Sequence, residues 1–194
     1  MPHYLLDPAA QDLLFREAHT AHAFTDEPVT DAEVAAVIDL VQWAPTSMNS
    51  GPVRVVLARS ADARATLISH LFEPNRAKSN SAPLQVILAA DTDFHLTLPR
   101  LVPAATNPQD RFPDPVARAA FARSQAWMQV AYFLLGVRAI GLAAGPMTGF
   151  DAAAVDRDLL AGTTLQSLAV VNVGHPAEGA FRPRAPRLDV SEVM

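Results

Sequence analysis

The clearest periodic signal in the chain is Val34, Val37, Ile38 and Val41, whose i, i+3, i+4, i+7 spacing puts four β-branched side chains on one helical face. Thr30-Asp31-Ala32-Glu33 precedes it with capping-box spacing, so the pattern predicts a helix opening after Thr30 and stopping near Trp43, ahead of Ala44-Pro45. Asp7-Pro8 and Asp114-Pro115 each set a capping carboxylate before a proline at the first helical position. The second opens a segment from Pro115 to about Ile140, polar early at Arg118, Arg123 and Gln125 and apolar on nearly every side later. That is the pattern of a central helix covered by other elements, with Gly141 at its end. Val53 to Ala58, Leu84 to Ala90 and Leu165 to Val173 are short apolar runs bounded by turn residues and read as buried strands. Beyond His175, Pro176, Pro183 and Pro186 forbid a regular helix, and the segment reads as an arm.

Length and composition narrow the classes. The 194 residues, without an internal repeat or low-complexity tract, read as one domain over 1–194, with 176–194 as its C-terminal arm. Of the 50% hydrophobic residues, 36 positions are alanine, so the core of large side chains is ordinary in size. Zero cysteines exclude disulfide scaffolds, thiolate zinc sites and cysteine nucleophiles, and point to a reducing, cytoplasmic address. The start lacks a basic segment and carries Asp7, unlike a leader peptide. The most apolar stretch, Ala126 to Val137, contains Gln129 and is too short to span a bilayer, which needs about 20 residues, so it reads as a buried core helix. A net charge of -5 without any basic block argues against nucleic acid and anionic membrane surfaces as partners. Fourteen of the 15 Lys+Arg cations are arginine, so any site requiring an ammonium depends on Lys78.

Five stretches carry polar groups outside the core pattern: 19–24, 45–52, 75–78, 145–151 and 182–187. Taken singly, each has an ordinary reading. Thr46 to Pro52 could be turn formers, Gly145 to Asp151 a loop ending in an Asp N-cap, and Arg182, Arg184 and Arg187 a solvated cationic run. His19 and His22, at i and i+3, have metal-ligand spacing but no third ligand of convincing spacing, so no metal is expected. No GxGxxG, GxxxxGK[ST] or GxSxG motif occurs.

In order along the chain, Trp43-Ala44-Pro45-Thr46-Ser47-Met48-Asn49, Met128-Gln129-Val130-Ala131-Tyr132, Arg138-Ala139-Ile140-Gly141-Leu142 and Gly145-Pro146-Met147-Thr148-Gly149-Phe150-Asp151 resemble the flavin-dependent nitroreductase family. They resemble most its HadB/RutE-type branch, which includes malonic semialdehyde reductase. The interspersed helices and strands alone suggest a parallel α/β sheet. The resemblance instead implies an α+β fold, with a largely antiparallel central sheet flanked by helices and the C-terminal arm exchanged in a homodimer.

By the same resemblance the cofactor is FMN. Arg182 and Arg184 match the basic pair that holds its phosphate, and His19, Thr20 and His22 occupy the family's N-terminal basic-Ser-x-basic segment. Histidine there replaces arginine or lysine, with the family's first arginine falling at Ala18, so phosphate affinity should be weaker and more pH-dependent. Asn75 and Lys78 match the Asn-x-x-Lys beside the ring, where the amide addresses the pyrimidine edge and the ammonium tunes charge at the N1 and O2 side. Pro45, Thr46, Ser47 and Asn49 match a loop that contacts the flavin, in the family partly from across a subunit interface. Thr148 and Gly149 match the segment whose backbone reaches flavin N5; many relatives have glutamate where Thr148 stands.

The implied activity is hydride transfer from NADH or NADPH through flavin N5 to a small electron-poor acceptor, with no catalytic side chain required. The branch suggests 3-oxopropanoate going to 3-hydroxypropanoate, with nitroaromatic or quinone reduction as the alternative. A non-catalytic flavin-binding protein with a degenerate phosphate site, and a metal-dependent enzyme using His19 and His22, are the rivals from other classes.

Overall fold

The computed structural model describes residues 4–194; residues 1–3, part of the chain start discussed above, lie outside the described residues. Asp7 accepts a hydrogen bond from the Ala10 N–H and opens α1 (Pro8–Gln11), which passes into a π-helical turn over Asp12–Arg16. Thr30 opens α2 (Asp31–Val41) with the predicted reciprocal capping box to Glu33. This helix buries Val34, Val37 and Val41 but leaves Ile38 exposed. It ends two residues before Trp43.

The sheet is formed by β1 (Val53–Ala58), β2 (Leu84–Asp91), β3 (Ala143–Met147) and β4 (Leu165–Gly174), in the order β1-β2-β4-β3 with every pairing antiparallel. The three strands expected from apolar runs are present within one residue of their expected bounds. β3 was expected to be part of a loop, because Gly145 and Pro146 are poor strand residues. Both are tolerated because β3 pairs only with β4 and lies at the sheet edge.

β2 is buried on both faces, and its side chains alternate between two cores. Leu84, Val86, Leu88 and Ala90 meet α2 and the long helix α6 (Pro115–Ala139). Ile87 and Ala89 meet Leu67 of α3 (Ala61–His70) and Val155 of α7 (Ala152–Leu159). The sheet therefore lies between two helical layers, and the α+β expectation holds where the pattern-only parallel reading fails. Arg118 on α6 donates to the Thr92 and Phe112 carbonyls and pairs with Asp93, which fastens the 91–113 excursion containing α5 (Leu98–Leu101). Gly141, at φ +86, ends the α6 segment in a conformation that L side chains rarely adopt.

The reading of α6 as covered all round needs correction. Its inner face carries Ala122, Ala126, Val130, Phe133 and Val137, whereas Trp127, Met128 and Tyr132 on the outer face are each 40% exposed. Among the described residues no element covers that face. No helix among the described residues is long and apolar enough to cross a membrane.

Residues 75–78, which carry polar groups outside the core pattern, lie on α4 (Glu73–Ser81). This helix contains no apolar side chain larger than proline and is held by polar groups. Gln85 donates to the Ser79 and Ala82 carbonyls at 2.7 and 3.0 Å, and Asn172 donates to the Ser79 hydroxyl at 3.0 Å. After His175 the arm is irregular until a four-residue turn, α8 (Val190–Val193), which forms beyond the last proline and is capped by Asp189.

Candidate functional site

The segment 20–25 runs between the edge of β3 and the beginning of the arm. Ala21 N–H donates to the Ala144 carbonyl at 2.9 Å, and a Cβ on Gly145 would stand 2.8 Å from the Ala21 carbonyl oxygen, so glycine lets the two backbones approach. On its other side, His22 N–H donates to the Ala180 carbonyl and Thr25 N–H to the His175 carbonyl, both at 2.9 Å. The arm therefore folds back on its own chain, and its arginines reach the N-terminal segment without a second subunit.

This clamp forms a cleft of about 230 Å³ whose lining includes His19, Thr20, His22, Arg182, Arg184 and Arg187, with no carboxylate in its wall. A neighbouring cleft of about 200 Å³ shares His19 and Thr20 and extends to Arg138 of α6 and Pro146 of β3. The guanidinium groups have different tasks. Arg184 donates to the carbonyls of Arg16 and Ala18, and Arg138 to those of Leu13 and Glu17 at 2.7 and 2.9 Å. Together they close the chain leaving the π-helical turn. Arg182 makes no hydrogen bond or ion pair among the described residues. Its charge acts on two other members of the expected set. His22 is held below the usual imidazole value by burial first, then by Arg182 and Lys78. Lys78 is lowered by burial and by Arg182. Arg182 and the nearby Lys78 disfavour protonation of His22, and the positive field they set up beside the cleft suits an anion.

Lys78 lies one helical turn from Asn75 on α4. Asn75 Nδ2 donates to the Gly149 carbonyl at 2.9 Å, and the same oxygen accepts from Phe72 N–H at 3.0 Å. A Cβ on Gly149 would meet Asn75 Nδ2 at 2.7 Å. The amide nitrogen is therefore fixed and the amide oxygen remains as an acceptor. Thr148 is exposed beside this junction, and Asp151, the expected N-cap, opens α7 by accepting from Ala154 N–H at 3.0 Å.

Pro45, Thr46, Ser47 and Asn49 lie elsewhere. Ser47 N–H donates to Gln125 Oε1 at 2.7 Å, Asn49 Nδ2 to the Leu101 carbonyl at 3.1 Å, and Gly51 N–H to Thr46 Oγ1 at 3.1 Å. These bonds hold Met48 and Asn49 at φ +57 and +51, a left-handed geometry uncommon for side-chain-bearing residues and retained only under such constraint. Gln125 and Arg138 are 13 residues apart on α6, about 20 Å at 1.5 Å per residue, so this loop sits against the middle of the helix and the arginine-lined cleft at its C-terminal end.

Sequence reasoning gave no site role to Arg138, which stands there only within the matching stretch Arg138 to Leu142, and missed Phe181, whose ring lies 5.7 Å from that of His19. It also treated Arg182 and Arg184 as equivalent. Among the described residues no group of three His, Asp or Glu side chains is arranged to hold a metal ion, so His19 and His22 gain no third ligand.

The sequence model of the nitroreductase family matches residues 15–175. A protein of Streptomyces griseus with the provisional name NADH dehydrogenase/NAD(P)H nitroreductase is 52% identical over 191 residues, covering 98% of this chain and 97% of its own. Among solved structures, a provisionally named nitroreductase of Bacillus subtilis superimposes with a TM-score of 0.85 at 21% identity, covering 97% of this chain and 99% of its own. Another, from Exiguobacterium sibiricum and in complex with FMN, gives 0.82 at 14% identity, covering 100% and 99%. With a family match over most of its length and a full-length relative above half identity, the chain belongs to the nitroreductase family.

Proposed function

We propose that the chain is an FMN-dependent oxidoreductase that accepts hydride from NADH or NADPH and delivers it to a small electron-poor acceptor. The observation that carries this reading is a cleft lined by His19, Thr20, His22, Arg182, Arg184 and Arg187 with no carboxylate among its lining residues, within the electrostatic reach of Lys78, which shares α4 with the fixed Asn75. The donors suit the cofactor: guanidinium, hydroxyl and imidazole groups for a phosphate, and a free amide oxygen with an ammonium for the edge of a ring. The Streptomyces griseus relative's name and the FMN bound by the Exiguobacterium sibiricum structure support the same reading.

Bound FMN would supply a hydride carrier that the side chains lack. Arg182, Thr20, His19 and His22 would hold its phosphate, with Arg184 and Arg138 fixing the backbone that presents the N-terminal donors. Asn75 Oδ1 would accept from the ring edge, and Lys78 would place a positive charge beside it, favouring states in which the ring gains electrons. The Gly149 carbonyl is taken by Phe72 and Asn75, which leaves the Thr148–Gly149 amides as the backbone donors of that segment. A homodimer completes the site by bringing the 45–49 loop of a second copy to the flavin, within a single domain per chain. The sequence resemblance to the HadB/RutE-type branch favours 3-oxopropanoate as acceptor, with nitroaromatics and quinones as alternatives.

The test is the visible spectrum of the purified protein, before and after FMN and then NADH or NADPH without oxygen. Flavin absorption that bleaches with a nicotinamide, and returns with 3-oxopropanoate, is the expected result. A protein that stays colourless after reconstitution would overturn the reading.

A further inference from the structure

A second and larger cleft, of about 740 Å³, opens beside the middle of α6 at Gln129, between α2, β1 and the α5 turn. Its size falls in the range of small-molecule sites. The walls combine Trp43, whose side chain is 76% exposed, with Ile38, Val41 and Leu101. Its lining contains no acidic residue and two arginines.

Arg54 is fully engaged: Nη2 pairs with Asp91 at 2.7 Å, and Nη1 donates to the Gly51 and Val53 carbonyls at 3.0 and 2.8 Å. Arg100, by contrast, makes no hydrogen bond or ion pair among the described residues. In the same lining Gln129 is only 5% exposed; its Oε1 accepts from Val53 N–H at 3.0 Å, while Nε2 has no partner among the described residues. A buried amide with an unpartnered donor end, lining the same cleft as an unpaired guanidinium, specifies an acceptor-rich ligand. The guanidinium fork fits a carboxylate in two parallel hydrogen bonds, and the apolar wall with the Trp43 ring suits a flat or aliphatic body.

We infer that this cleft receives a small carboxylate-bearing molecule, with Arg100 as the residue that selects the carboxylate and Gln129 as the second donor. The ligand's identity as the hydride acceptor rests on the flavin-dependent reading above, in which the Asn49 loop on the rim of this cleft meets a second copy's flavin. The preference for a carboxylate rests only on the cleft.

The probes are 4-nitrobenzoate and nitrobenzene, which share a ring and a nitro group and differ in the carboxylate. Each is titrated against the full-length protein by quenching of tryptophan fluorescence, with excess inorganic phosphate present to occupy the cleft around Arg182. Wild type should bind 4-nitrobenzoate about tenfold more tightly than nitrobenzene, the gain expected of one bidentate charge-assisted pair. Arg100→Met should erase that preference with nitrobenzene affinity unchanged, and Arg100→Lys should restore it in part. Equal binding of both probes by wild type, no binding because a second copy fills the cleft, or a preference that survives Arg100→Met would each overturn the inference. Bleaching of bound flavin by NADH or NADPH is scored separately. A protein without flavin that still prefers the carboxylate through Arg100 would sink the flavin reading and leave the cleft assignment standing.

Discussion

Asn75 and Gly149 are matched by exclusion: the amide nitrogen of one donates to the carbonyl of the other at 2.9 Å, and a Cβ on Gly149 would lie 2.7 Å from that nitrogen. Gly149→Ala must therefore displace Asn75. The lost neutral hydrogen bond is worth about 0.5–1.5 kcal/mol, and the freed amide no longer holds its oxygen in a fixed direction. Thermal unfolding should show a small loss, and an FMN titration a larger one. The double variant with Asn75→Ala should be no worse than Gly149→Ala alone, since the clash has gone. Fully additive losses would show that the pair is not coupled.

Arg182 and Arg184, one residue apart from being neighbours, should fail in opposite ways. Arg182 has unengaged donors and works against the charges of His22 and Lys78. Arg182→Gln should leave the flavin-free protein as stable as before or more so. It should weaken FMN about ten- to a hundredfold, the range for losing charged hydrogen bonds of 1.5–3 kcal/mol. Arg184 holds the carbonyls of Arg16 and Ala18, so Arg184→Gln should lower the unfolding temperature of the flavin-free protein itself. Differential scanning calorimetry with and without FMN separates the two. Identical behaviour would mean that the division of labour is wrong.

The pH dependence of FMN affinity follows from His22. Burial and its cationic neighbours hold its value below the usual imidazole figure in the free protein, and a bound phosphate dianion would raise it. Binding then takes up a proton between the two values, so affinity should rise as pH falls through the bound-state value toward the lower free value, and the gain is lost as pH rises through the bound-state value. The gain ends near pH ~6, where the phosphate itself is protonated. Folding alone has the opposite sign. Because the folded value is depressed, stability from this group is full above the unfolded imidazole value and declines as pH falls through it toward the lower folded value. Fluorescence titrations of FMN from pH 5.5 to 8.5 test this, with riboflavin as the phosphate-free control. A slope equal for both ligands, or one that survives His22→Gln, would remove His22 from the phosphate site.

What the sequence disclosed depended on whether apolar burial or polar bonding held each element. α2, α6, β1, β2 and β4 bury branched or aromatic side chains at regular spacing and were legible to within a few residues. α4 was not, because Gln85, Asn172 and Ser79 tie it to the sheet and none of them has a periodicity. The edge strand β3 was hidden because Gly145, needed for the approach of Ala21, has no side chain to register. The parallel-sheet reading failed because interspersed helices and strands do not fix strand direction, and β2, buried on both faces, has the continuous apolar run that parallel strands also show. The expected site residues were named by resemblance, and composition alone gave each stretch an ordinary turn or cap. Nothing in the spacing distinguished Arg182 from Arg184, since the difference lies in carbonyls more than 160 residues away.

The distance along α6 sets the last expectation. Ser47 is bonded to Gln125, whereas Arg138 holds the chain beside His19, and the two are about 20 Å apart by helical rise. If the 45–49 loop and the Arg182 cleft serve one FMN, two copies must lie so that each loop reaches the other's cleft. The surface available between them is the outer face of α6, where Met128 and Tyr132 are i, i+4 neighbours and Trp127 lies alongside, all partly exposed with no covering element among the described residues. Met128→Glu puts a charge at the centre of that stripe, where burial against a second copy would leave it unpaired. The variant should sediment as a monomer at concentrations where wild type is dimeric, with FMN bound at least tenfold more weakly. The Arg182 cleft would remain intact, so inorganic phosphate should still protect it against heat as it does wild type. A monomeric variant that holds FMN with wild-type affinity would show that one chain suffices and that the 45–49 loop has no part in binding it.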